Sequence, residues 1–208
     1  MEFLNLDLFI RIAAPMCMMF FILKDSARKN LLFMMIGMCV CLFCGEVSGL
    51  LHQCIQVSDA YFVSNITPVV EEIMKFCPVL FYMLVFKPER RKLLESAMAV
   101  GVGFAILENV FTLAFGTDDT AILLSLVRGF LTGMFHALST LIVALGVSFL
   151  KKNRKILAAG TVTFLTLAIT LHAICNRLVV SGYWYLSHLV TLLMLAAVVA
   201  SMKFAPQT

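Results

Sequence analysis

Glu71-Glu72-Ile73-Met74-Lys75 puts two carboxylates and an amine within five residues at the head of an apolar run. A charge in hydrocarbon costs roughly 2.5–3.5 kcal/mol on insertion scales, so a run that keeps three of them needs other helices turned toward it. Glu71 and Lys75 are spaced i,i+4 and Glu72 and Lys75 i,i+3, so the amine can face either acid. Three further runs offer partners. Gly101, Phe104 and Glu108 are three and then four residues apart and share one helix face, with Asn109 following. Arg128, Gly129, Gly133 and His136 form a second stripe, and His172 and Asn176 sit at i,i+4 on a third. Three glutamates against Lys75 and Arg128 leave one negative charge, which in a low dielectric must be relieved by a proton or a bound cation. Both solutions suit hydrolysis. A buried glutamate can take a proton from water while His and Asn donors hold an oxyanion. Alternatively, two His and one or two Glu can hold zinc with an open water position, leaving another Glu as base.

The elements that must position these groups are membrane helices. The chain has 208 residues, 62% hydrophobic and 13% charged, too apolar for a water-soluble surface. Apolar runs at 8–23, 31–51, 68–86, 93–115, 121–150, 156–180 and 183–202 each suit a crossing of about 20 residues. The expected fold is therefore all-α, a single integral membrane domain over 1–208 with seven transmembrane helices and its active-site helices within 68–180. Lys24, Arg28 and Lys29, then Lys87, Arg90, Arg91 and Lys92, then Lys151, Lys152, Arg154 and Lys155, and finally Lys203 occupy alternate connectors and the tail. The other connectors, 52–67, 116–120 and 181–182, have no Lys or Arg, and Asp118 and Asp119 fall in one of them. By the positive-inside rule the N-terminus is outside and the C-terminus in the cytoplasm. The first run lacks a basic leader and a small-residue cleavage site and is read as a retained helix. The net charge of +4 thus follows topology, and no nucleic-acid partner is expected.

Converting sequence position to depth at 1.5 Å per residue puts Glu71, Glu72, Glu108, Arg128, His172 and Asn176 in the outer half of the bilayer, with His136 nearer the middle. One buried polar site, open to the outside, is the simplest reading. Asp7 and Arg11 pair at i,i+4, and Arg177 can snorkel to the interface. Glu46, between Gly45 and Gly49 on what reads as a close-packing stripe, is expected to support the site or bond a neighbouring helix. Glu95 reads as interfacial, and His52 and His188 as lone histidines. The seven cysteines, including the Cys41-x-x-Cys44 pair, fall mostly in apolar runs and read as small packing residues.

EEIMK at 71–75 resembles the E-E-x-x-K motif of the PrsW family of intramembrane proteases, and FAILEN at 104–109 resembles its F-x-x-x-E-N motif. His136 and HAICN at 172–176 are similar to its histidine-bearing later helices. These motifs span about half the chain in the family's order. The wider group includes the CAAX prenyl endopeptidases and the bacterial Abi proteins; CAAX-type members carry F-x-x-x-H where Phe104 to Glu108 stand here. The resemblance implies a multi-pass protease of the bacterial plasma membrane. It would make the first, extracytoplasmic cut in a membrane-anchored anti-sigma factor or similar regulator. It further implies Glu71 and Glu72 as catalytic carboxylates, and Glu108, His136 and His172 as the water-activating or Zn²⁺-binding set. Asn176 would then help hold the oxyanion, with Lys75 and Arg128 balancing charge. Other readings of the same residues are a proton- or ion-coupled transporter and a non-catalytic membrane scaffold. Neither an internal repeat nor a pair of matched interrupted helices is visible to favour transport.

Overall fold

A computed structural model describes residues 27–115, 122–150 and 154–204, together with Ala14, Pro15 and Met18. Six long helices follow in order: α1 Ala27–Cys54, α2 Thr67–Phe86, α3 Arg90–Phe115, α4 Ile122–Leu150, α5 Arg154–Val180 and α6 Trp184–Phe204. They correspond to the second to seventh apolar runs. The first run, with the Asp7–Arg11 pair, lies outside the described residues apart from those three. Among the described residues the chain is all-helical, and five helices are long and apolar enough to cross a membrane. The other long helix, α2, has 20 residues and carries Glu71, Glu72 and Lys75 in its first half.

Local chemistry sets the helix ends. Pro68 stands in the first turn of α2, directly after the π-helical turn that leads into it. Lys87 closes that helix in the left-handed conformation, φ 47°, directly before Pro88. Gly182, φ 82°, makes the tight turn from α5 into α6. The connector before α2 is itself structured. Ser58 Oγ accepts from Tyr61 N–H at 3.3 Å to cap a single helical turn, Asp59–Tyr61, which continues as a π-helical turn, Phe62–Ile66, into α2.

Glycines bring the backbones together at two crossings. A Cβ on Gly37 of α1 would collide with the carbonyl of Val100, and one on Gly103 of α3 with the carbonyl of Met34, so α1 and α3 touch through reciprocal small residues. Gly101 of α3 meets the backbone of His136 and Ala137 on α4 in the same way. Among the described residues, nothing lies within 4 Å of a Cβ added at Gly45 or Gly49, and Glu46 between them is exposed, so the expected stripe makes no close approach to the described helices. Those residues sit on a face of α1 turned away from α3, while Gly37, two to three turns earlier on the buried face, makes the close approach. Cys41 and Cys44 are buried near Val70 and Phe104, as packing residues should be.

The core between α1, α2, α3 and α4 is aliphatic and aromatic, with Val79, Val100, Val102 and Ile106 almost wholly enclosed. At one end of the bundle, Lys29 at the start of α1 stacks over Tyr82 near the end of α2, 4.0 Å from the ring centroid. Arg91 pairs with Glu95, and Lys92 with Glu89, at the start of α3. The polar cluster lies toward the other end, with the π-helical turn and the α5–α6 turn.

Candidate active site

Six groups from four helices meet. Lys75, fully buried, donates to Glu72 Oε1 at 2.7 Å and to Ser139 Oγ at 3.4 Å, and its Nζ lies 3.0 Å from His136 Nδ1. The same Glu72 oxygen lies 2.7 Å from His172 Nδ1. His172 Nε2 is 3.7 Å from Glu71 Oε2, and His136 Nε2 is 2.6 Å from Glu108 Oε2. The two imidazoles stand almost perpendicular, ring centroids 5.2 Å apart at 81°. Phe135 closes over His172 at 5.0 Å, and Phe104 over His136 at 5.2 Å, while Lys75 Nζ also sits 4.9 Å from the Phe104 ring.

The stripe read on the fourth apolar run explains much of this. Gly101 admits the His136 backbone, Phe104 covers its ring and Glu108 reaches its Nε2, one residue type for each level of the α3–α4 contact. On α4, Ser139 and Thr140 return their hydroxyls to the His136 carbonyl at 3.1 and 2.9 Å, so the helix satisfies its own polar side chains. His136 shares a layer with Glu108 and His172 rather than lying deeper.

Each imidazole is held from behind through Nδ1 and presents Nε2 to the glutamates. For His172 the partner is a carboxylate, so Nδ1 carries the proton and Nε2 is left with its lone pair. For His136 the partner is Lys75. An ammonium can only donate, which makes Nδ1 the acceptor and sets the ring proton on Nε2 beside Glu108.

Among the described residues, two buried carboxylate oxygens, Glu71 Oε2 and Glu108 Oε2, have no hydrogen-bond partner; the Glu108–His136 contact is short but lacks the alignment of one. Three carboxylates face one ammonium in direct contact, so two negative charges remain. That excess matches a divalent cation. One ligand atom each from Glu71, His136 and His172 lie within 4.8 Å of one another, a carboxylate and two imidazoles that suit zinc with a fourth position for water. The family resemblance implied Glu108 beside the two histidines; Glu108 is within reach of His136 and next to that group.

The remaining expected residues are nearby. Asn176 and Arg128 line a cavity of about 320 Å³ that reaches Glu108, His136 and His172. Asn176 Nδ2 donates to the Val63 carbonyl at 3.0 Å, tying α5 to the π-helical turn and leaving its second N–H. Arg128 is not brought against any of the three glutamates, and among the described residues no carboxylate lies within ion-pair distance of it. The part of α6 in the cavity was missed: Trp184, Ser187, His188 and Thr191 form one wall of it. Ser187 and Thr191, at i,i+4 beside His188, were the available signal. His52, read as a lone histidine, pairs with exposed Asp59 at 3.2 Å at the head of the π-helical turn.

No curated protein and no solved structure matches the chain. The model of one protein family does, over residues 26–202, which include every group of the buried cluster. The chain therefore belongs to the PrsW family of intramembrane metalloproteases.

Proposed function

We propose that this protein is an endopeptidase that cuts a membrane-anchored protein near the extracytoplasmic face of a bacterial plasma membrane, making the first cut in an anti-sigma factor or similar regulator. The observation that carries the reading is the contact set of Glu71, Glu72, Lys75, Glu108, His136 and His172, all buried but the half-buried Glu108, at the inner end of a cavity. A helix bundle gains nothing in stability from such a set, because apolar side chains of the same volume avoid the desolvation of six polar groups.

Sidedness has two supports. The basic residues Lys29, Arg91 and Lys92 gather at the end of the bundle away from the cluster, as cytoplasmic residues do. Tyr183, Trp184 and Tyr185, all exposed at the α5–α6 turn, suit the opposite headgroup layer, and His172 lies eight residues below Val180, about 12 Å of helix. With the 8–23 run as a further crossing, the N-terminus lies outside and the C-terminus inside.

Roles follow from which atoms are committed. Glu72 is engaged by Lys75 and His172, so it orients the imidazole rather than meeting water. Glu71, His136 and His172 would hold the cation. Once bound, a Zn²⁺ ion there supplies Lewis acidity toward water and the peptide carbonyl. Glu108 is then the free base: it accepts the proton of the attacking water and delivers it to the leaving amine as the C–N bond breaks. Cation binding through His136 Nε2 would displace one proton from the Lys75–His136 pair, and that proton leaves through the cavity, so Glu108 stays ionised as the base. The second N–H of Asn176, which lines the same cavity, would donate to the developing oxyanion.

The test is cleavage of a membrane-anchored reporter peptide by purified protein in proteoliposomes. Glu72→Ala and His172→Ala are expected to abolish it. Full cleavage by either variant refutes the assignment.

A further inference from the structure

The cavity extends well beyond the groups that the reaction uses. From His136 and His172 it continues past Thr132 and Leu131 to Arg128, with Val179 and the α6 residues Trp184 and His188 opposite. Its volume, about 320 Å³, holds a short stretch of extended chain rather than water alone. Arg128 is half-buried in this wall and forms no ion pair with any of the three glutamates or with another carboxylate of the described residues. A guanidinium in such a place presents a fork of donors that matches a carboxylate, and a hydrated partner is the poorer alternative as the cavity fills with substrate. Resting on the peptidase reading above, we infer that Arg128 is a specificity residue that binds an acidic side chain of the substrate.

Spacing makes the inference quantitative. Arg128 and His136 are eight residues apart on α4, about 12 Å at 1.5 Å per residue. An extended peptide advances about 3.3 Å per residue, so the acid belongs three to four residues from the bond that is cut. Thr132, one turn from each, lines the wall between them.

The experiment uses the full chain in proteoliposomes and a membrane-anchored peptide set with amidated C-termini, so that only a side chain varies in charge. A single Asp is walked from five residues before the cut to five after it, with Asn as the control at each position. The expected result is a preference for Asp over Asn of about 10- to 100-fold in kcat/KM at one position three or four residues from the cut, carried mainly by KM. In Arg128→Gln the preference falls to within twofold, in Arg128→Lys it is reduced but kept, and in Arg128→Glu it passes to a Lys peptide. Because the preference is a ratio within one variant, the fraction of folded protein cancels. Equal cleavage of Asp and Asn peptides by the wild type, or an undiminished preference in Arg128→Gln, overturns the inference while leaving the peptidase intact. Failure of the wild type to cut any peptide overturns both.

Discussion

Gly101→Ala tests whether the α3–α4 crossing sets the site. The added Cβ would overlap the His136 carbonyl oxygen and lie 2.7 Å from the carbonyl carbon and 2.8 Å from Ala137 Cα. All three are backbone atoms of a buried helix, so no rotamer change relieves the clash. Ordinary carbon contacts fall at about 3.5–4.0 Å, and α4 must therefore move away from α3 by roughly 1 Å. The two ends of that displacement carry His136 and Glu108, now 2.6 Å apart, and Phe104, which covers the imidazole. A misplacement of about 1 Å at reacting groups costs on the order of 10²-fold in rate, while overpacking costs about 1–3 kcal/mol of stability. Gly45→Ala is the control, since among the described residues nothing lies within 4 Å of a Cβ added there. In proteoliposomes, Gly101→Ala should cleave the reporter peptide about 100-fold more slowly, with a modest fall in the thermal midpoint, and Gly45→Ala should match the wild type. Cleavage by Gly101→Ala within twofold of wild type, with the helices still paired, would show that the close approach does not hold the imidazole in register.

Lys75→Met leaves Glu72 buried and without its ammonium, which should cost about 3–5 kcal/mol in detergent unfolding, whereas Lys75→Met with Glu72→Gln should unfold later than the single variant. Removal of the cation with 1,10-phenanthroline is expected to stop cleavage and added Zn²⁺ to restore it; a protein indifferent to both would point to water activation by glutamate alone. Asn176→Leu removes the 3.0 Å bond to Val63 and should speed hydrogen exchange through Phe62–Ile66 as well as slow cleavage, a pair of effects that loss of an oxyanion donor alone would not produce.

Much of this arrangement was visible in the residues. The apolar runs anticipate the described helices to within a few residues, and the helices extend past the runs where basic residues continue the turn, as Arg90–Lys92 do ahead of Leu93. The meeting of EEIMK with Glu108, His136 and His172 follows from the cost of charge in hydrocarbon, which leaves these groups only one another. What stayed hidden depends on crossing geometry. Gly37 and Gly45 look alike in sequence, and only the line along which α1 meets α3 decides which is buried. The π-helical turn has no periodic signature in five residues. Helix α6 gave little sign of its part in the cavity, because two hydroxyls and a lone histidine on an apolar helix bond their own backbone as readily as they face a pocket.

A single oxygen, Glu72 Oε1, accepts from Lys75 three residues along its own helix and from His172 a hundred residues downstream. The docking register of α5 against α2 is therefore inspected by the very atom that sets the imidazole's orientation. Were α5 to settle one turn too high or too low during insertion, that atom would lose a donor and the histidine its tautomer together. On the proposed reading, correct docking and cutting competence would depend on one contact, and an unfinished bundle would have no working blade to turn on the membrane around it.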